Sequence, residues 1–235
     1  TIYMNEIMPN NGGHLVAEVL QRNNIHWIFT LCGGHISPIL TGCNELGVRV
    51  VDVRHESTAV FAADAVSRLS GTIGVAAVTA GPGLTNTITA IKNAQMAQVP
   101  TLIIGGATAI VLKNRGSLQD IDHLSLVQSI TKYAKTIKRV RNIQLYLEEA
   151  IATATSGVPG PVYIEIPVDI LYPETLVRDW YGLKSKGKST PWWISHYLNW
   201  NVNRIFKDKH KTHPKNKQTN DAQNSSVHIP RVNDI

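Results

Sequence analysis

The chain has 235 residues, 43% hydrophobic and 17% charged, which excludes wholesale disorder and supplies the apolar material for one sizeable core. Its net charge of +6 is uneven: residues 184–235 hold ten basic and three acidic side chains, whereas residues 1–183 hold 13 basic and 14 acidic and are close to neutral, so the body does not read as a nucleic-acid binder. Two cysteines, Cys32 and Cys43, exclude a disulfide framework and fit no zinc spacing.

In chain order, Trp27–Leu31 is a short apolar strand ending at Cys32-Gly33-Gly34, and Ile36–Leu46 is a helix stopped by Gly47. Val48–Val53 is a β-branched strand that leads into Arg54-His55-Glu56. Ser57–Leu69 is a helix with Ser57 as its cap and Val60, Phe61, Ala63, Ala65 and Val66 turned inward. Ile73–Thr79 is a buried strand ending at Gly81-Pro82-Gly83, and Leu84–Gln98 is one Ala-rich helix with Pro100 just beyond it. Thr101–Ile104 is a strand ended by Gly105-Gly106. After a looser stretch to Asp122, strands Tyr133–Ile137 and Val162–Ile166 flank a helix over Ile143–Thr155.

Repetition of strand, glycine turn and helix predicts an α/β fold: a parallel sheet of about six strands with helices on both faces, of flavodoxin or Rossmann type. The predicted domain runs over 12–182. From 183 to 235 the composition changes to Lys, Asn, His and Gln with scattered Trp, and the expectation is a disordered basic tail. A second reading of that tail is an aromatic and basic segment that touches a membrane surface. Asn224-Ser225-Ser226 also fits a glycosylation acceptor.

Parallel sheets place ligands at the carboxyl ends of strands, where strand order reverses. Glu56 leaves a buried strand and opens a helix, a position partly removed from water, where a carboxyl group can hold or share a proton. The plainer alternative is that it only lines the helix terminus. Gly81-Pro82-Gly83 makes a tight turn that lets a flat ligand approach the backbone. It has neither the spacing of a dinucleotide site nor that of a phosphate loop. His35 and His55 flank this region, and no His, Cys, Asp or Glu cluster has metal-ligand spacing.

Three runs together, Val51-Asp52-Val53-Arg54-His55-Glu56, Ala62-Ala63-Asp64-Ala65 and Thr79-Ala80-Gly81-Pro82-Gly83-Leu84-Thr85-Asn86, resemble the N-terminal pyrimidine-binding domain of thiamine-diphosphate enzymes. Lys92-Asn93-Ala94-Gln95 and Arg115-Gly116-Ser117-Leu118-Gln119-Asp120 fit the acetolactate synthase and 2-hydroxyacyl-CoA lyase branch. The resemblance spans about Gly12 to Asp179, and residues 184–235 are expected to be unrelated to it. It implies that Glu56 bonds N1′ of the cofactor's aminopyrimidine, so that the thiazolium carbon loses its proton and serves as an electron sink. It further implies that Gly81, Pro82 and Gly83, with Thr79 and Asn86, form a shelf beside the pyrimidine. Gln119 would reach toward cofactor and substrate, and Gly33, Gly34 and His35 would close over the reacting centre. Thr30, Leu118 and Asp120 depart from the common glycine, phenylalanine and glutamate, which bears on substrate choice more than on fold.

The resemblance implies that the Mg2+ and diphosphate ligands are supplied by a later domain, and ligands for any FAD are likewise expected to be absent from this chain. This chain is therefore expected to be the first part of such an enzyme, a truncated or alternative product that is inactive alone. It would meet a homo-oligomeric or full-length partner subunit through the family's dimer interface, and its 2-keto or 2-hydroxyacyl substrate there. Relatives are expected at the endoplasmic reticulum membrane; this chain as written shows no anchor or signal and is expected to be cytosolic. A non-catalytic partner of full-length subunits, or an unrelated flavodoxin-like small-molecule binder, remain alternatives at this point.

Overall fold

The structure is a computed structural model and describes residues 11–183 and 191–207. Tail features expected at 184–190 and 208–235, including the acceptor triplet at Asn224, lie outside the described residues.

Six strands form one parallel sheet in the order β2-β1-β3-β4-β6-β5. They are β1 Trp27–Thr30, β2 Arg49–Asp52, β3 Gly74–Val78, β4 Thr101–Ala107, β5 Tyr133–Thr136 and β6 Val162–Pro167. β3, β4 and β6 are buried along their whole length, which their continuous apolar sequences require. The helices are α1 Gly12–Arg22, α2 Ser37–Glu45, α3 Glu56–Ser70, α4 Pro82–Thr85, α5 Ile88–Met96, α6 His123–Val127, α7 Ile143–Thr155, α8 Val168–Leu171, α9 Glu174–Trp180 and α10 Trp192–Phe206. One face of the sheet packs a large core against α1, α2, α7 and α10. The other packs a smaller core, including Val60, Leu84, Ile91 and Val127, against α3 to α6. The expected α/β architecture is thus the observed one.

The chain passes from β1 outward to β2 and then crosses to β3 on the other side of β1. Strand order reverses there, and the crevice beyond the carboxyl ends of β1 and β3 receives the glycine turns of both.

Several local expectations are corrected. The glycines Gly105 and Gly106 do not end β4 but lie inside it. A side chain at Gly105 would strike the Tyr163 ring, and one at Gly106 would strike His35. His55, not Ser57, caps α3: its Nδ1 accepts the Ser57 N–H at 3.2 Å. Within α3, Val60 and Ala63 are buried, but Ala65 and Phe61 are exposed, Phe61 by 41%. The helix expected over Leu84–Gln98 is two, α4 and α5, with Asn86 and Thr87 between them.

The expectation of a disordered tail is overturned over Trp192–Phe206. Val202, Ile205 and Phe206 recur at helical spacing and are buried in the larger core. Arg178 of α9 donates to Asn199 and Asn203 of α10 at 3.3 and 2.7 Å. Trp192, Trp193, Tyr197 and Trp200 occupy the solvent side, and these aromatics and the interspersed asparagines obscure the periodicity in the sequence.

Candidate cofactor site at the sheet's switch point

Two loops meet at the switch point. Gly33 follows β1, and a side chain there would lie 2.5 Å from the Thr79 Cβ that follows β3. Gly83 also packs on Thr79, where a side chain would lie 2.7 Å from Cγ2. Thr79 is therefore clasped between two glycines, and its hydroxyl lies 3.2 Å from His35 Nδ1. Burial of His35, with the nearby His123 adding to it, holds the imidazole below its usual titration range. Gly34 has open space where a side chain would be, and its carbonyl accepts from the Tyr172 hydroxyl at 2.9 Å.

Gly81 opens the turn with φ 63°, a left-handed conformation suited to glycine. Gln119, itself at φ 62°, lies against it, since a Cβ on Gly81 would be 2.9 Å from that of Gln119. The turn runs straight into α4, whose last cap is Asn86, with its N–H on the Pro82 carbonyl.

Glu56 begins α3, where the helix terminus favours a carboxylate. It is buried, 7% exposed, and its Oε2 accepts from Asn86 Nδ2 at 2.9 Å. The Ser57 hydroxyl donates to the Asn86 carbonyl, so α3 grips the end of α4 twice. The second oxygen of Glu56, Oε1, has no hydrogen-bond partner among the described residues. Contacts tie these residues together: Thr79 meets Gly33, Gly83 and His35, Gln119 packs on Gly81, and Asn86, at the end of the helix that the glycine turn opens, holds Glu56. Gln119 packs on the turn at Gly81 whereas Glu56 is held at Asn86, and no hydrogen bond joins the two among the described residues.

A second buried carboxylate stands behind the turn, and the sequence reading misses it. The Gly81 N–H donates to His123 Nε2 at 2.8 Å, and His123 Nδ1 meets Glu165 Oε2 at 2.7 Å. Thr136 donates to Glu165 Oε1 at 2.7 Å, and Lys113 Nζ lies 3.6 Å from the same oxygen. Burial alone would push the Glu165 carboxyl up, but the bonds from His123 and Thr136 and the Lys113 charge bring it below its usual value. A cavity of about 190 Å³ opens beside this cluster, lined by Lys113, Gln119, His123, Thr136 and Glu165 among others.

Comparison with known proteins places the chain in a family. Residues 10–126 match the family described as thiamine pyrophosphate enzyme, N-terminal TPP binding domain. The chain is 55% identical over 195 residues to 2-hydroxyacyl-CoA lyase 2 of Danio rerio, covering 81% of this chain and 31% of that relative. It is 53% identical over 204 residues to 2-hydroxyacyl-CoA lyase 2 of Caenorhabditis elegans, covering 86% of this chain and 32% of that relative. It is 40% identical over 159 residues to acetolactate synthase large subunit IlvG of Mycobacterium tuberculosis, covering 68% of this chain and 29% of that relative. The chain belongs to the thiamine pyrophosphate enzymes, through their N-terminal TPP binding domain.

It spans about a third of the length of the curated relatives it matches. The family segment takes in every site residue nominated from the sequence, and His123, but not Thr136 or Glu165. A match over 86% of the chain cannot stop at residue 183, so likeness to relatives runs into the region expected to be unrelated. Among the described residues no helix is long and apolar enough to cross a membrane.

Proposed function

We propose that this domain forms the pyrimidine-binding half of a thiamine-diphosphate-dependent carbon–carbon lyase or synthase acting on 2-hydroxyacyl or 2-keto substrates, with Glu56 as the group that bonds the aminopyrimidine. The observation that carries this reading is the largely buried Glu56 side chain, with Oε2 fixed by Asn86 at the end of the helix that the glycine turn opens and Oε1 without a hydrogen-bond partner among the described residues. A carboxyl oxygen left without a protein partner among the described residues, on a side chain otherwise largely buried, matches a ring nitrogen that shares a proton.

When bound, the cofactor supplies an electron sink next to the carbonyl carbon at which the bond breaks or forms. Asn86 Nδ2 orients the Glu56 carboxyl, and Glu56 Oε1 holds or passes the shared proton. Gly81, Pro82 and Gly83 offer a backbone surface to one face of a flat ring, and Thr79 with His35 closes the β1 side. Gln119 faces the cavity, where contact with substrate is proposed. Mg2+, the diphosphate and any flavin are assigned to parts of the enzyme beyond these residues.

The partner in this reading is a second subunit of the same enzyme. Exposed Phe61 and Leu69 on α3 and Met96 at the end of α5 support a pairing face there. An endoplasmic reticulum location for the complete enzyme rests on the family resemblance alone.

The test is Glu56→Gln in the complete enzyme carrying this domain. Turnover should fall by about 10² to 10⁴, the usual contribution of a positioned proton-transfer group. Turnover near the parent level would refute the role.

A further inference from the structure

A left-handed glycine is free to leave its conformation unless something outside the turn selects it. At Gly81 that selection has an identifiable source. Its N–H is buried and donates to His123 Nε2 at 2.8 Å, which leaves Nε2 as an acceptor and puts the ring hydrogen on Nδ1, facing Glu165 Oε2 at 2.7 Å. His123 is the first residue of α6, a helix of only five residues that cannot by itself fix an imidazole. Glu165 can, because it comes from β6, between β4 and β5 in the sheet, and lies in register with Gly105 on one side and Thr136 on the other. Thr136 donates to its second oxygen. Both ring nitrogens and both carboxylate oxygens are thus engaged, with the His123 and Glu165 side chains 2% and 1% exposed.

The path continues forward from Gly81. The turn opens α4, α4 ends on Asn86, and Asn86 holds Glu56 Oε2. Rotation of the Gly81 amide would move the glycine surface and Asn86 together. Gln119, packed on Gly81, would move with them.

We propose that His123, oriented by Glu165 and Thr136, is a positioning residue for the cofactor half-site: it locks the Gly81 amide and so sets the turn, Asn86 and the Glu56 carboxyl relative to one another. This rests on the reading of the turn as the pyrimidine surface. His123 touches no reacting atom in this account and acts through Gly81.

The experiment uses the complete enzyme with His123→Ala, His123→Gln and Thr136→Val. It reads hydrogen–deuterium exchange at the Gly81 amide, the thiamine diphosphate concentration giving half-maximal activation, and turnover at saturating cofactor. His123→Ala should speed Gly81 exchange roughly tenfold and raise the half-activating concentration by a similar factor, with saturated turnover within about threefold of the parent. His123→Gln, whose amide can accept from Gly81 and donate to Glu165, should restore both within about twofold. Thr136→Val should produce a smaller shift, about threefold, in the same two readouts.

Unchanged Gly81 exchange in His123→Ala overturns the contact. Faster exchange with an unchanged half-activating concentration overturns the positioning role, as does a His123→Gln enzyme as impaired as His123→Ala. If His123→Ala does not fold, His123→Gln and Thr136→Val decide the matter on the same criteria. Glu56→Gln in parallel separates the two readings: parent-level turnover there sinks the pyrimidine assignment, while the exchange data still judge the His123 contact.

Discussion

Two buried glutamates are linked to the same glycine turn, Glu165 through His123 and Glu56 through Asn86, and they are finished differently. Glu165 is surrounded by donors, with His123 on one oxygen and Thr136 and Lys113 on or near the other. Glu56 has Asn86 on one oxygen and no protein partner on the other among the described residues. The residue type is the same and both side chains are largely buried, but Glu56 alone of the two keeps an oxygen without a partner among the described residues. A carboxylate whose oxygens are all used serves the fold, whereas one left half open is available to a ligand. The turn between them has one fixed side and one receptive side.

The sharpest way to break this contrast is to neutralise each glutamate in turn. Glu56→Gln should cost the complete enzyme about two to four orders of magnitude in turnover while leaving the melting temperature nearly unchanged. Glu165→Ala should do the reverse in kind. It strands His123, Thr136 and the Gly81 amide behind it, and chemical denaturation should report a loss of about 3 kcal/mol. Equal effects on stability from both would erase the distinction.

A third carboxylate sharpens it through pH. Asp169, at the β6–α8 junction, is pushed from its usual 3.8 up to about 6 by burial, against bonds from the Ile110 N–H and the Tyr181 hydroxyl. Because its folded value is raised, its stabilisation is complete below about pH 4 and is lost as pH rises through about 6. Glu165 has the opposite sign: its contribution is present above its usual 4.5 and is lost as pH falls through its lower folded value. Asp169→Asn should therefore flatten the decline in stability between pH 4 and 6, by about 2 kcal/mol in urea titrations. A slope unchanged from the parent would remove Asp169 from the account. Last, Gly81→Ala should cost about 1–2 kcal/mol, since a side chain at φ 63° is strained and meets Gln119. A neutral result in thermal unfolding would show that the turn is free to adjust.

Much of the fold is legible in the sequence because two-sided burial forces continuous apolar strands, and glycine turns punctuate them. β3 and β4 are plain for that reason, and helix Ile143–Thr155 is found at its stated ends. Reading fails where a distant partner sets the outcome. Gly105 and Gly106 look like a stop, yet they make room for Tyr163 and His35 within a strand. The break between α4 and α5 falls at Asn86 and Thr87, where the Asn86 side chain is taken up by Glu56 and its carbonyl by Ser57. In α10 the burial of Val202, Ile205 and Phe206 depends on a core built by other elements.

The site divides the same way. Glu56 and Gly81–Gly83 stand in local motifs, and so they are found. His123 and Glu165 lie 42 residues apart, brought together by the insertion of β6 between β4 and β5. The only available signal, a histidine following Asp122 and a glutamate alternating within Val162–Pro167, carries no chemistry until the sheet is assembled.

A crystal structure of the complete enzyme with thiamine diphosphate tests the central claim most directly. A Glu56 carboxyl oxygen should lie within about 2.6–3.2 Å of N1′ of the aminopyrimidine, with Asn86 still on the other oxygen. An aminopyrimidine bound elsewhere, or a Glu56 carboxyl more than about 4 Å from any ring nitrogen, would contradict it.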